Sequence, residues 1–263
     1  MITTQSVGQM FRLDGQVVLV PGGYGGIGEA VCWGVAAAGA KVIVAGRSVE
    51  RAQALVDSLT GEGYEAYAAP FDAHKGADIR RMVDDATEHF GRLDILVNCL
   101  GGNREEKWLD VTEANFDHVY SANLKSAFFL AQAAARCMID CGNGGRQVHL
   151  GSVRTKLALR GRGYAAYCAA KGGLGTMCKQ LAAELAPHNI NVNVVAPTFV
   201  RTQQVAAMLS DPDFYNPLVA RIPLGRVAEP EEVMYSVLFL ISPASGFITG
   251  QILYLDGGIT ATQ

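Results

Sequence analysis

No apolar run in this 263-residue chain is long enough to cross a bilayer, because Gly, Lys or Arg interrupts each candidate before about 18 residues accumulate. The first ten residues, Met1 to Met10, also lack the basic start and apolar core of a secretory leader. Both absences point to a soluble, cytoplasmic protein. There is no long basic run, and 22 Lys and Arg against 25 Asp and Glu give a formal net charge of −3. That balance offers no footprint for nucleic acid or an anionic membrane, so a small molecule is the expected partner. The six cysteines, at positions 32, 99, 137, 141, 168 and 178, include no C-x-x-C pair, and the five histidines form no metal-binding spacing. Cys137 and Cys141 share a helical face but have no nearby His, so they read as core. All six thiols are expected to be buried and reduced, and no metal is expected. With no tandem repeat, low-complexity linker or composition break, residues 1–263 read as one domain.

What the chain does have is alternation. Short apolar runs at 16–20, 41–45, 66–71, 93–98, 146–151, 191–196 and 251–255 read as strands. Between them lie helical patterns at 29–38, 49–59, 78–90, 115–141 and 163–185, with another after Pro230; Ser48 is placed to cap the second. Strand and helix alternate without hairpin signals. The expected fold is therefore α/β, a doubly wound parallel sheet of about seven strands with helices on both faces. Residues 198–226, with prolines at 212, 217 and 223, are too long for a plain connector. They read as a lid over a site or, alternatively, as a packed pair of short helices.

Two motifs carry chemistry. After the first strand comes Gly22-x-x-x-Gly26-x-Gly28, where glycine lets the chain turn sharply and lets backbone N–H groups approach a pyrophosphate at a helix N-terminus. The second strand ends in Gly46-Arg47. An acidic side chain there would bind the ribose 2′-hydroxyl and repel a 2′-phosphate; an arginine favours the phosphate, hence NADP(H) over NAD(H). The second motif is Tyr167-Cys168-Ala169-Ala170-Lys171. It sets a phenol and an ammonium one helical turn apart, where the cation would lower the phenol pKa toward the working pH. A lone pair of this kind is usually a solvated helix face; the glycine turn changes that reading.

Together these segments resemble the short-chain dehydrogenases/reductases, over residues 12–259 and down to the closing Asp256-Gly257-Gly258. The resemblance implies a Rossmann fold and hydride transfer between a nicotinamide and a carbonyl or secondary alcohol. It makes Asn123, Ser152, Tyr167 and Lys171 catalytic. Ser152 would hold the substrate oxygen, Tyr167 act as acid and base, Lys171 tune Tyr167 and bind ribose, and Asn123 support a proton-relay water. Cofactor contacts carry over to Gly22, Tyr24, Gly26, Ile27, Gly28, Arg47, Asp72, Asn98, Gly101, Tyr167, Lys171, Pro197 and Thr202. Pro21 and Thr198 depart from the family, which usually has Thr and Gly there, and the interval from Ser152 to Tyr167 is slightly long. Members that this chain is similar to include gluconate 5-dehydrogenases, with 3-oxoacyl-carrier-protein reductases as the alternative and a non-catalytic NADP(H) sensor as the reading from another class. The family commonly forms homotetramers through the helix that carries Tyr167 and through the last strand.

Charge near the catalytic motifs suggests the substrate. Arg154, Lys156, Arg160 and Arg162 lie between Ser152 and Tyr167, Arg104 follows the cofactor turn and Arg201 stands in the lid. A site rim of one sign concentrates the opposite charge, so the expected substrate is a small polar, acidic molecule such as a sugar acid, bound by Arg154 and Arg104.

Overall fold

A computed structural model describes residues 7–262; most of the N-terminal stretch on which the expectation about a leader rests, Met1–Ser6, lies outside them. Seven strands, β1 (Val17–Pro21), β2 (Lys41–Gly46), β3 (Ala66–Pro70), β4 (Ile95–Asn98), β5 (Gly145–Leu150), β6 (Ile190–Pro197) and β7 (Ile252–Leu255), form one sheet in the order β3-β2-β1-β4-β5-β6-β7. Every pairing is parallel. Strands buried on both faces need apolar residues at every position rather than at alternate ones, and β1 is buried throughout. Val18 and Val20 pack on one side, against α1 (Gly26–Ala37), α2 (Val49–Gly61) and a late helix at Pro230–Ile241. Val17 and Leu19 pack on the other, against α3 (Gly76–Phe90) and the two long helices that follow β4 and β5.

Helix ends follow local chemistry. Ser48 Oγ accepts the Arg51 N–H at 3.2 Å and starts α2; Gly91, at φ 75°, ends α3 in the left-handed conformation. α1 begins at Gly26, three residues earlier than its composition suggests, because the glycine turn is itself part of the helix entrance. The helical pattern at 115–141 is also not one α-helix. It resolves into α4 (Glu113–Tyr120), a π-helical turn at Ser121–Lys125 and α5 (Ser126–Cys141). Asn123 sits in the widened turn, the kind of insertion that recurs where a side chain must be re-aimed.

α6 (Ala165–Leu185) carries Tyr167 and Lys171. Beyond β6, the stretch expected to be irregular contains α7 (Ala206–Leu209) and α8 (Pro212–Val219), and then α9 (Pro230–Ile241) returns to the sheet. Leu209, Leu218, Ile222 and Val227 pack with Val153 and Ile259 in a small separate core, so this segment is folded onto the sheet end that bears Ser152. The chain reverses winding direction between β1 and β4, and in such sheets ligands bind at the strand ends beside that point.

Candidate active site

The glycine turn fits a phosphate-bearing ligand by what it leaves out. Gly22 has φ +80° and any Cβ there would lie 3.1 Å from the Cys99 backbone; a Cβ on Gly28 would come within 2.1 Å of the Gly22 carbonyl oxygen. No side chain caps α1, whose first N–H groups therefore remain for an anion. Beside the turn is a cavity of about 540 Å³ lined by Gly22, Tyr24, Gly26, Arg47, Arg51 and His74 among others. These features suit a dinucleotide.

Tyr24 organises the cationic end of this cavity. Its hydroxyl accepts the Ser48 N–H at 2.8 Å, its carbonyl accepts from Arg51 Nη2 at 2.9 Å, and the Arg51 guanidinium lies 4.7 Å from its ring centroid. Arg51 is thus held next to Arg47 as a second cation, which the sequence pattern did not single out because it lies inside α2 rather than at the strand end. Arg104 belongs on this side too. It is exposed, neighbours His118 together with His74 and Arg47, and lies outside the lining of the cavity that holds Ser152. Asp72 lies beside the cavity lining, between Phe71 and Ala73. Its carboxylate accepts the His74 N–H at 3.1 Å and pairs with Lys75 at 3.5 Å, securing the approach to α3, while Phe71, Ala73 and His74 form the cavity wall.

Ser152, Tyr167 and Lys171 meet in an adjoining cavity of about 250 Å³, with Ile27, Pro197 and Thr202 also in its lining. Cys99, Leu100, Gly101 and Gln204 line both cavities. Ser152 Oγ accepts the Arg154 N–H at 3.2 Å, which leaves the hydroxyl proton free to donate. Lys171 is buried and donates to the Leu150 carbonyl at 2.7 Å. The electrostatics differ from the sequence expectation that Lys171 lowers the Tyr167 pKa. Burial pushes the Tyr167 phenol up to about 12, with the Ser152 hydroxyl opposing it only in part, and burial pulls the Lys171 ammonium down to about 8. Lys171 Nζ lies 5.8 Å from the Tyr167 ring centroid, and its electrostatic neighbours are Cys178 and Cys99. At neutral pH Tyr167 is a proton donor.

Asn98 and Asn123 stand behind the wall rather than on it. Asn98 Oδ1 accepts the Leu100 N–H at 3.1 Å and its Nδ2 faces His149 Nδ1 at 3.3 Å. Asn123 Nδ2 donates to the Gly102 and Val119 carbonyls, both at 2.7 Å, and its Oδ1 accepts the Gly102 N–H at 3.3 Å. Its side chain fastens the cofactor turn, which also explains the π turn. Of the six cations expected to converge, Arg154 is the one in the lining of this cavity, and Arg160 is exposed outside it. Arg162 pairs with Glu105, Arg201 with Glu229, and Lys156 reaches the Thr260 carbonyl, whereas Arg154 is 4% exposed and lines the cavity. Nor are all thiols buried: Cys32 and Cys178 are, the other four are partly exposed, and all six are free. Among the described residues no cluster of His, Cys, Asp or Glu could hold a metal, and no helix is long and apolar enough to cross a membrane.

Comparison with known proteins agrees with this geometry. A family model described as enoyl-(acyl carrier protein) reductase matches residues 22–260. An uncharacterized oxidoreductase of Mycobacterium tuberculosis (strain H37Rv) is 35% identical, over 95% of this chain and 93% of its own. The 2-dehydro-3-deoxy-D-gluconate 5-dehydrogenase of Escherichia coli K12 is 34% identical, over 94% of this chain and 96% of its own. Among solved structures, a gluconate 5-dehydrogenase from Burkholderia cenocepacia in complex with NADP and tartrate superposes with a TM-score of 0.94 at 34% identity, covering 98% of this chain and 100% of that one. The likeness runs along nearly the whole chain, which belongs to the short-chain dehydrogenase/reductase family, oxidoreductases of alcohol and keto groups.

Proposed function

We propose that the protein transfers hydride between NADP(H) and the carbonyl or secondary alcohol of a small, polar substrate of the sugar-acid class. The observation that carries this is the pair of adjoining cavities, one built around the glycine turn and the other around Ser152 and Tyr167. Neither is lined by a described Asp or Glu, although the chain as a whole is acidic. Bound nicotinamide supplies or accepts the hydride. The chain's own groups do the rest. Ser152 donates its free hydroxyl proton in a hydrogen bond to the substrate oxygen, and Tyr167 delivers a proton to that oxygen in reduction and takes it back in oxidation. Lys171, anchored on the Leu150 carbonyl, places positive charge beside this exchange. Gly101 brings the cofactor turn close: a Cβ there would meet Asn123 Oδ1 at 2.9 Å and Lys171 Nζ at 3.1 Å.

Arg47 and Arg51, both exposed toward the nucleotide cavity, support NADP(H), as does the NADP in the related solved structure. Residues 198–226 act as the lid, since Thr198, Phe199, Val200, Thr202, Gln204 and Val205 line the reaction cavity. Six free thiols fit a reducing, cytoplasmic setting, and the assembly is a homotetramer through α6 and β7.

The test is NADPH oxidation with keto-aldonic acids, neutral ketoses and 3-oxoacyl thioesters, for the wild type and Tyr167→Phe. Tyr167→Phe keeps the ring and should lower turnover by about 100-fold or more while NADPH binding is retained. Near-normal turnover in that variant removes Tyr167 from the chemistry. Binding of NADPH without turnover of any carbonyl compound makes the protein a sensor, and reduction of thioesters alone replaces the sugar-acid reading.

A further inference from the structure

Six buried polar side-chain atoms lack a hydrogen-bond partner among the described residues, and three of them belong to residues of a single cavity: Asn103 Oδ1, Arg154 Nη2 and Thr198 Oγ1, all in the lining shared with Ser152 and Tyr167. Buried polar groups are normally satisfied, and an unpaired cationic donor is among the costliest to leave. Three such groups in the lining of one cavity point to a polar ligand that would satisfy them.

Arg154 is the most constrained of the three. It is the middle residue of the 3-10 turn Val153–Thr155, and its backbone N–H is committed to Ser152 Oγ. Its Nη1 donates to the Leu157 carbonyl at 3.1 Å, which fixes the guanidinium plane and leaves Nη2 without a partner. The charged or titratable groups around it are Cys168, Arg221, Tyr164 and Tyr167, with no carboxylate among them, and it makes no ion pair with a described residue. Thr198 directly follows β6 in the same lining and offers a neutral donor beside the charged one. Asn103 Oδ1 offers an acceptor. The cavity volume corresponds to about eight waters, enough for a short polar chain.

We infer that Arg154 and Thr198 hold the carboxylate of a short-chain hydroxy acid, with Asn103 accepting a hydrogen bond from one of its hydroxyl groups, so that these three side chains select an acid over the corresponding neutral polyol. The inference rests on the proposed reaction only for the identity of the site and adds the substrate class and the residues that read it. Arg154 is joined to Ser152 through its own backbone, so the carboxylate is set at a fixed offset from the oxygen that Ser152 holds. This is a specificity device built two residues from the chemistry.

The test separates binding from hydride transfer. D-Gluconate, D-xylonate and L-threonate, each beside its neutral alditol, are titrated calorimetrically into enzyme saturated with NADPH, where alcohol and reduced cofactor cannot react. At least one acid should bind about 10-fold or more tightly than its alditol, the order expected for a hydrogen bond to a charged group. Arg154→Met should abolish that preference and leave alditol affinity unchanged, and Arg154→Gln, which keeps a polar side chain without charge, should do the same. Acids that bind no better than alditols overturn the inference. So does an acid preference that survives in either folded variant, or a loss that falls equally on acid and alditol. If acid binding depends on Arg154 but no carbonyl compound is reduced, the anchor stands and the hydride-transfer reading fails; turnover of neutral ketones without any acid preference gives the reverse.

Discussion

Lowering the pH from about 7 to about 4 should cost this fold about 3 kcal/mol through one side chain, His149. His149 is fully buried in β5, three residues before Ser152. Because the Leu100 N–H occupies Asn98 Oδ1, it is Asn98 Nδ2 that faces His149 Nδ1, which must therefore accept. The ring proton is left on Nε2, which has no partner. Protonating Nδ1 would set two donors against each other inside the core. Burial first, and the charge of Lys171 second, hold the pKa at about 4 against an ordinary 6.5. Between those values the unfolded chain binds a proton that the native state does not, so stability falls as the pH drops, with a slope approaching about 1.4 kcal/mol per pH unit. That is a large share of the roughly 5–15 kcal/mol that holds a typical domain folded. The assay is urea unfolding at several pH values for the wild type and His149→Gln. The variant's absolute stability will shift with altered packing, but other titrating groups cancel in the difference, so the slope carries the test. A variant that loses stability as steeply as the wild type would refute the reasoning.

Two further outcomes follow from the nucleotide side. Arg47→Ala and Arg51→Ala should each weaken NADPH by about 1.5–3 kcal/mol, the range for hydrogen bonds to charged groups, and leave NADH nearly unchanged; equal losses for both cofactors would show that neither arginine reads the 2′-phosphate. Gly46→Asp is a poorer probe of the same question, because its Cβ would lie 2.4 Å from the Tyr24 ring and displace the residue that holds Arg51. Gly28→Ala would press a methyl group onto the Gly22 carbonyl and should cost about 1–3 kcal/mol of stability, with loss of nucleotide binding. Unfolding and cofactor titrations that match the wild type would mean the turn relaxes freely.

The strand-helix alternation was legible because strands buried on both faces leave continuous apolar runs, and all seven appear in the sheet. The glycine turn and the Tyr167 to Lys171 spacing were legible for the same kind of reason: local backbone geometry demands particular residues at fixed intervals. What depended on tertiary packing was not. Helical periodicity is blind to one extra residue per turn, so α4, the π turn and α5 read as one helix until Asn123 was seen fastening Gly102. Counting cations between Ser152 and Tyr167 could not tell that Arg162 faces Glu105 while Arg154 turns inward. Helical spacing fixes how near the Lys171 ammonium is to Tyr167, and not how much water burial removes from both groups.

Cys99, Leu100, Gly101 and Gln204, which line both cavities, give the two a thermodynamic relationship. Three of these residues follow β4, and the fourth comes from the stretch after β6, so the shared lining is assembled from two distant parts of the chain. A molecule touching these shared residues from one cavity sets their position and freedom for a molecule in the other. Whatever factor the nucleotide imposes on the affinity for the second ligand, the second ligand must impose on the nucleotide, since the free energy of the ternary complex does not depend on the order of filling. A change at Gln204 should therefore be felt by both binding constants together.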